Sequence, residues 1–486
     1  MIDINERVSA LSPAKQALLA LRQNKRLAQR RASRLSFSQQ RLWFAHQLEP
    51  DSAAYNIPGA VRLRGRLNLT ALRQSLQEIA RRHEVLRTRF EERDGQPVQV
   101  IEQAAEVSLP VWNISDVDEE GREARVRQIA GREAARAFDL ERGPVWRAAL
   151  VRMSADDHVL LFCLHHVASD AWSTVVLISE MTSLYDAFQR GEKSPLRELE
   201  IQYADYAAWQ AEWLEGEALT KQVEYWKEQL KGAPPVLELV TDRARPAVQS
   251  YRGAIERFEL SGPLSESLKQ ISRREGVTLF MTLQAAFDAL LHLTTGQDDI
   301  IIGTSIANRT HLQTEKLVGC FINLLPLRTI LSGNPSFRML LAKVREVTLG
   351  AFSHQDIPFE KLVEFLQPER DLRYSPLFQV LFEYRDEPAS RLELPGLSFS
   401  FCEPNRATAK FDLTLFMMQG RERIGGFFEY RTDLYDPCTI RRMIEQFQEL
   451  LQNIAGDPRK DLMSLSPASE REKNKIVSDF NEDMDF

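Results

Sequence analysis

The stretch HHVASDAWS, residues 165–173, decides the fold, because it places polar, titratable side chains directly after an apolar run. That run, residues 159–164, is apolar without alternation, which is typical of a strand covered on both faces. Adjacent residues of a strand point to opposite faces, so His165 and His166 are not expected to converge on one metal ion or one substrate. The sequence therefore predicts one reactive imidazole at the end of a buried strand.

Length and composition are those of a globular protein with more than one core. The chain has 486 residues, of which 43% are hydrophobic and 27% charged, and its net charge is -7. A single core stops growing at ~250–300 residues, so two subdomains are expected. The negative charge argues against nucleic acid as a partner. No apolar run approaches the ~20 residues that span a bilayer and no signal peptide is evident, so a cytoplasmic protein without membrane contact is expected.

The cysteines and histidines lack the spacing of a metal site. Cys163, Cys320, Cys402 and Cys438 lie far apart with no C-x-x-C pair, and the histidines show no H-E-x-x-H pattern. Nor is a disulfide framework indicated, so buried free thiols are expected. We therefore predict that no metal ion and no diffusible cofactor is bound directly.

Periodicity predicts helices and strands in two successive sets along the chain. The predicted helices cover residues 69–82, 123–138, 171–190, 264–274, 279–293, 337–352 and 437–454, and the predicted strands cover 159–164, 299–304, 410–417 and 425–430. One apolar stripe of the helix at 171–190 is expected to consist of Val175, Ile178, Met181, Thr182, Tyr185 and Phe188. Two such sets of mixed elements predict an α/β architecture of two similar halves.

The two ends of the chain have a different character. Ser12 and Pro13 can cap and open a helix whose far end is crowded with lysine and arginine. This segment is predicted to be a solvated linker helix or an element that docks on an upstream protein. From Gly456 onward periodicity is lost and charged residues accumulate, which indicates a linker or a disordered tail.

The histidine stretch resembles the HHxxxDG signature of the condensation domains of non-ribosomal peptide synthetases, within the chloramphenicol acetyltransferase-like superfamily. Further blocks stand in the family's order: SFSQQRLW at 36–43, RHEVLRTRF at 82–90, YADYAAWQ at 203–210, IGTSIANR at 302–309, VGCFIN at 318–323, HQDIPFEKL at 354–362 and SPLFQV at 375–380. The resemblance implies two acyltransferase-like lobes in a V-shaped pseudodimer, with the active site in a tunnel between them.

The resemblance also implies a domain organisation. Residues 1–34 would be an N-terminal linker or docking helix, 35–205 the N-terminal lobe, 206–455 the C-terminal lobe, and 456–486 a linker towards an adenylation domain. The implied partners are an upstream donor and a downstream acceptor peptidyl carrier protein, whose phosphopantetheine arms bring the substrates. As an excised domain the chain is expected to be monomeric.

The implied chemistry is peptide-bond formation, with His166 as the base or positioning group and His165 as its structural neighbour. Asp170 would cap the following helix or form an ion pair, for which Arg309 is the preferred partner and Arg87 the alternative. Both roles are architectural.

The resemblance further implies tunnel positions at Ala171, Trp172, Ser173, Asn323 and Trp209, although Asn323 and Trp209 are equally compatible with ordinary packing. Ala171 departs from the family's glycine. It either narrows the tunnel by one methyl group or indicates that the local φ is negative.

Alternatives of other classes remain open at this point. The wording of the motifs resembles domains that join an L-configured donor to an L-configured acceptor. A catalytically silent platform that recruits carriers or enzymes is one rival, and a starter or ester-forming acyltransferase of the same fold is another.

Overall fold

The computed structural model describes residues 33–466, apart from 104, 215, 249, 369–370, 372, 387–392, 395 and 403–407. The predicted N-terminal helix and most of the predicted C-terminal linker lie outside the described residues. Within them the chain forms two six-stranded mixed sheets, each packed with helices, and a small three-stranded sheet. The predicted α/β architecture of two halves is confirmed.

The N-terminal half supplies most of the first large sheet. Its elements are β1 (Ser33–Arg34), α1 (Phe37–Leu48), β2 (Asn56–Gly65), α2 (Leu69–Arg82), β3 (Thr88–Arg93), β4 (Gln96–Ile101), β5 (Val111–Asn113), α3 (Glu119–Ala135), β6 (Trp146–Arg152), β7 (Asp157–His165), α4 (Ala171–Gln189) and α5 (Tyr203–Trp213).

The C-terminal half supplies the second large sheet and its helices. Its elements are α6 (Glu217–Gln229), β8 (Gly253–Glu259), α7 (Gly262–Arg274), α8 (Leu279–Thr295), β9 (Asp299–Ile306), α9 (Leu312–Glu315), β10 (Asn323–Ile330), α10 (Phe337–Ser353), α11 (Phe359–Leu366), β11 (Val380–Asp386), β12 (Glu393–Leu394), β13 (Leu397–Cys402), β14 (Leu413–Gln419), β15 (Ile424–Arg431), α12 (Pro437–Gly456) and α13 (Leu462–Leu465).

Strand β7 lies in the interior of the first sheet, whose order is β12-β13-β2-β7-β6-β5. It is hydrogen-bonded on both edges, and nearly all its side chains are buried whichever face they point to. The apolar run before the histidine pair is therefore the doubly covered strand that its lack of alternation predicts. The strand ends at His165 and so delivers the histidine pair to the edge of the core.

Helix α4 buries a different face from the predicted one. Its inward face runs through Ser173, Glu180, Leu184 and Ala187, whereas Val175 of the predicted stripe is exposed. Glu180 can lie inward because its carboxylate accepts hydrogen bonds from Arg82 Nε and is bonded to His83 Nε2, both at 2.8 Å. A buried acidic residue with partners of this kind cannot be recognised from apolar periodicity.

The two halves are interlocked rather than consecutive. Strand β13 comes from the C-terminal half of the sequence but pairs antiparallel with β2, from Leu397 opposite Gly65 to Cys402 opposite Ala60. Helix α5 spans the predicted boundary at 205/206 and packs its Tyr206 into the N-terminal core. The predicted lobes at 35–205 and 206–455 are thus corrected by an exchange of elements across that boundary.

The packed C-terminal core extends beyond the predicted start of the linker at 456. Leu462 and Leu465 of α13 are fully buried in the same cluster as α12, and Leu462 N donates to the carbonyl of Pro335 at 3.1 Å. Two leucines spaced by three residues carry this contact, which is too short a pattern for periodicity to detect.

No single helix in the described part of the chain is long and apolar enough to cross a membrane; α7 and α8 reach that length and composition only together, and they are bent by 106°.

The packing of α13 can be tested within one helical turn. Leu465→Ala should lower the free energy of unfolding by ~2–5 kcal/mol, because it leaves a cavity in the core. Met463→Ala, at a position 61% exposed in the same helix, should change it by less than ~0.5 kcal/mol. Urea unfolding followed by circular dichroism measures both. Equal midpoints for Leu465→Ala and wild type would show that this segment is a linker.

Candidate active site

His165 is the buried member of the histidine pair. It is 4% exposed, its Nδ1 accepts a hydrogen bond from Val167 N at 3.1 Å, and its ring packs edge-on against Phe138. Burial lowers the pKa of His165 to about 3, and nearby basic side chains add to the effect. The imidazole is therefore neutral and holds the turn after β7.

His166 begins the next turn and keeps part of its surface accessible. Its backbone N donates to the carbonyl of Tyr55 at 2.9 Å, and its ring is hydrogen-bonded to its own backbone. Burial lowers the pKa of His166 well below its ordinary value, and the charges of Lys410 and Arg41 lower it further. At neutral pH the imidazole is uncharged.

The Nδ1 atom of His166 lies 3.6 Å from the sulfur of Cys320. A carbonyl oxygen can only accept a hydrogen bond, so a ring bonded to its own carbonyl through this edge carries its proton on Nδ1. Among the described residues, none is hydrogen-bonded to Nε2. This nitrogen is left with a free lone pair.

Asp170 performs both of the roles considered for it. Its Oδ1 accepts from the N and Oγ of Ser173, both at 2.7 Å, which caps α4. The same carboxylate accepts from Arg309 Nη2 at 3.1 and 3.3 Å, and from Phe321 N at 3.1 Å. No hydrogen bond joins it to either histidine of the motif. Asp170 is therefore an architectural residue in this geometry.

Arg309 is the partner of Asp170, and both side chains are almost completely buried. Its Nη1 donates to the carbonyls of Leu317, at 2.8 Å, and Thr314, and its guanidinium lies over the ring of Phe321 at 4.0 Å from the centroid. The interaction joins the start of α4 to a segment of the C-terminal half.

Arg87, the alternative partner, lies elsewhere. It contacts Glu84 at 3.5 Å and donates to the carbonyl of Glu102. It is not part of the network around the histidine motif.

Ser173 is a member of the network rather than an open tunnel position. It is buried, and its Oγ donates to the carbonyl of Gly319 at 2.9 Å and accepts from Gly319 N at 3.0 Å. Arg309 Nη2 also donates to this hydroxyl at 2.9 Å. The network fastens residues 319–321 onto the histidine motif.

Ala171 and Trp172 open helix α4. Ala171 has ordinary helical backbone geometry, so the glycine of the resembled motif is not needed here for a positive φ. The indole of Trp172 is 44% exposed, and its Nε1 donates to the carbonyl of Glu315 at 2.8 Å. Both lie beside the motif, and Trp172 forms a further link between the halves.

Asn323 and Trp209 are occupied by packing. Asn323 Nδ2 donates to the carbonyls of Gln355 and Ile357 at 3.0 and 2.8 Å, and its Oδ1 accepts from Phe359 N at 2.9 Å. Trp209 is buried in the N-terminal core. For both, the packing alternative left open by the sequence describes the observed contacts.

A cavity of about 150 Å³ lies beside the histidine pair. Its lining includes Arg41, Tyr55, His165 and Tyr251, so both halves of the chain contribute. Sequence reasoning quoted Arg41 only as part of a motif block and missed the two tyrosines, which lie outside every block.

Two cations approach this cavity from opposite halves. Arg41 of α1 pairs with Glu360 of α11 at 2.9 Å, and Lys410 Nζ lies 5.1 Å from the ring centroid of Tyr55. Together they disfavour a charged imidazole at His166. Lys410 was also missed, because it precedes β14 and carries no spacing signal.

The cysteines differ in part from the prediction. Cys163 and Cys320 are buried free thiols as expected, whereas Cys438 is exposed at the start of α12 and corrects the expectation for that residue. The side chain of Cys402 lies outside those described. Among the described residues no group of three or more metal-ligating side chains is present.

Comparison with known proteins was made on this geometry. A family model described as "Condensation domain" matches residues 29–477. The linear gramicidin synthase of Brevibacillus parabrevis contains a protein that is 46% identical over 452 residues, which cover 92% of this chain and 9% of that protein. Malpinin synthetase from Mortierella alpina is 43% identical over 452 residues, covering 92% of this chain and 6% of that protein. The chain thus spans less than a tenth of the length of these relatives.

Two solved structures are similar in fold. The X-domain in its complex with OxyB from teicoplanin biosynthesis has a TM-score of 0.81 at 30% identity, covering 90% of this chain and 97% of that one. A holo four-domain nonribosomal peptide synthetase bound to AMP and glycine has a TM-score of 0.81 at 22% identity, covering 91% of this chain and 35% of that one.

The buried state of His165 predicts a specific dependence of stability on pH. The folded state keeps its pKa at about 3, while the unfolded chain has ~6.5, so the unfolded state binds one more proton between these values. This stabilisation is complete above pH ~6.5 and is lost as the pH falls towards 3, by up to ~1.4 kcal/mol per pH unit.

His165→Asn supplies an oxygen that can accept the bond from Val167 N but does not titrate. Its unfolding free energy, measured by urea titration between pH 7 and 4, should fall less steeply than that of wild type. Parallel curves for the two proteins would contradict the assignment of a buried neutral imidazole at His165.

Proposed function

The chain belongs to the family of condensation domains, and from that premise we propose that it joins a carrier-bound donor to the amine of a carrier-bound acceptor amino acid. Membership of the family confirms the resemblance found in the motif blocks and the fold of two acyltransferase-like lobes in a V-shaped pseudodimer. The proposal depends mainly on one observation: His166 presents a neutral, partly accessible imidazole with a free Nε2 where the two halves meet.

The proposed reaction is aminolysis of a thioester. The amine nitrogen of the acceptor attacks the carbonyl carbon of the donor, the C–N bond forms, and the C–S bond breaks as the thiolate leaves. Nε2 of His166 accepts the proton that the amine loses, and this proton then passes to the thiolate. No proton is consumed overall, and the only cofactor groups needed are the phosphopantetheine arms.

A weakly basic imidazole is sufficient for this step. An α-amine has a pKa of ~7.7–8.0 and a thiol ~8.5, so neither the nucleophile nor the leaving group is difficult at neutral pH. Alignment of the two arms can contribute about 7–11 kcal/mol, and a general base ~10²–10⁴-fold. The lowered pKa of His166 suits a group that receives a proton and releases it quickly.

The proposed partners are a donor and an acceptor carrier protein, and an adenylation domain that follows in a longer synthetase. Phe44 and Leu48, one helical turn apart on α1, are 65% and 68% exposed and line the cavity beside His165. Two large exposed apolar side chains at the mouth of a cavity support docking of a carrier there. Motif wording supports an L-configured donor and an L-configured acceptor.

The second candidate function is recruitment without catalysis. One solved neighbour is an X-domain in complex with another protein, OxyB, which favours a binding platform on this fold. The complete His165, His166 and Asp170 set favours catalysis. Intact-mass spectrometry of two loaded carriers, with and without the chain, tests the proposal: transfer of the donor mass to the acceptor supports it, and binding of the carriers without transfer favours the platform.

The reacting imidazole and its scaffold should respond differently to mutation. His166→Ala should lower kcat by ~10²–10⁴-fold and leave the melting temperature and carrier affinity near wild type, because its role belongs to the transition state. Asp170→Ala leaves Arg309 buried and unpaired, which costs ~3–5 kcal/mol, so stability and turnover should fall together. Thermal unfolding and transfer rates are measured on the same carriers at one pH. A soluble His166→Ala protein that condenses at nearly the wild-type rate would contradict the role given to Nε2.

Docking at α1 can be separated from chemistry. The double variant Phe44→Ser with Leu48→Ser should raise KM for one loaded carrier by about tenfold or more, the loss expected for interface residues of this kind. Its rate with free pantetheine thioesters should stay unchanged. Met339→Ser, which alters a similarly exposed side chain on the C-terminal half, is the control. An unchanged KM for both carriers in the double variant would exclude this surface as a docking site.

A further inference from the structure

We propose that Cys320 is a positioning residue for His166, whose sulfur holds the imidazole edge so that Nε2 faces the reacting amine. The inference rests on the proposed function, since it assigns a role within the same site. It concerns a residue that is 1% exposed, so substrate does not touch it.

The contact itself is specific to one edge of the ring. Cys320 Sγ lies 3.6 Å from Nδ1 of His166, on the nitrogen that carries the proton. Sulfur is a weak acceptor, and here it adds to the bond that the ring makes with its own backbone. Rotation of the ring would break both interactions at once. The opposite nitrogen, Nε2, is therefore kept towards the accessible side.

Cys320 is held in place on both sides along the chain. Gly319 N donates to Ser173 Oγ at 3.0 Å, and Phe321 N donates to Asp170 Oδ2 at 3.1 Å. The carbonyl of Cys320 itself accepts from Tyr203 OH at 2.6 Å. The sulfur thus has little freedom to move away from the imidazole.

This arrangement gives Asp170 a route to the reacting group. Asp170 makes no bond to His166, but it holds Phe321 N, the backbone group next to Cys320. The path runs from the carboxylate to the 319–321 backbone, then through the sulfur to Nδ1. Removal of Asp170 should accordingly misplace His166 as well as destabilise the protein.

A nucleophilic role for Cys320 is disfavoured. Burial raises the pKa of its thiol to about 12, so the reactive thiolate is not available at neutral pH. The facing imidazole is neutral as well, so no thiolate–imidazolium pair forms. The sulfur also lies on the Nδ1 edge, away from the free lone pair.

The test uses the whole chain and compares polarity with volume. Cys320→Ser keeps a polar acceptor and should stay within about 2-fold of the wild-type kcat, whereas Cys320→Val fills the space without one and should lose roughly 3- to 10-fold, the size of one weak hydrogen bond. KM for the carriers should not change in either. Cys163→Ala removes another buried thiol of the same core and is the control, with wild-type kcat expected once its folding is verified by thermal unfolding.

A second readout does not depend on activity. In protein labelled with ¹⁵N-histidine, the His166 signals, assigned by their absence in His166→Ala, should show the proton on Nδ1 in wild type and in Cys320→Ser. In Cys320→Val they should shift towards exchange between the two tautomers.

The outcomes separate this inference from the proposed function. Wild-type kcat and unchanged His166 signals in Cys320→Val would overturn the positioning role. A mass increase on Cys320 after incubation with the loaded donor alone would overturn it too, because the residue would then be a nucleophile. If wild type does not condense but the His166 signals shift in Cys320→Val, the positioning holds and the proposed function fails.

Discussion

The buried pair of Asp170 and Arg309 is the interaction on which the rest of the site depends. Both side chains are almost fully removed from water, and a charge left alone in such a place costs ~3–5 kcal/mol. Each must therefore find its partner, and the partners come from opposite halves of the chain. The carboxylate spends its remaining capacity on Ser173 and on Phe321 N. One charge pair thus sets the start of α4 and the course of the 319–321 segment.

Desolvation has different consequences for the two neighbouring histidines. Both have lowered pKa values with burial as the largest cause, and both are neutral. His165 uses a ring nitrogen to accept a backbone bond, so its imidazole becomes part of the turn. His166 has the turn's other direction and keeps an accessible edge. The alternation at the end of β7 divides one chemical type into a structural and a reactive residue.

Local patterns in the sequence predicted local structure well. The bounds of α2 agree with the prediction at both ends, and β7 and α8 are extended by only one or two residues at an end, because an apolar period or run describes each of them completely. The face of α4 was wrong because Glu180 is buried by partners far away in sequence. The pairing of β13 with β2 was missed for the same reason. In the site, the motif located the histidines and Asp170, but Cys320, Lys410 and Tyr251 join them only through the fold.

The interlocked halves restrict how substrates can reach His166. Separating the halves at the motif would break the Asp170–Arg309 pair and uncover two buried charges. Separating them at the first sheet would strip β13 from β2 and leave both edges without their backbone partners. Entry beside α1 breaks neither, because the cavity there already lies between Arg41 and Tyr251 and is lined at its mouth by exposed apolar side chains. The cost of opening the core therefore favours a long, thin substrate arm that enters through a standing opening over a lobe movement that admits a bulky substrate.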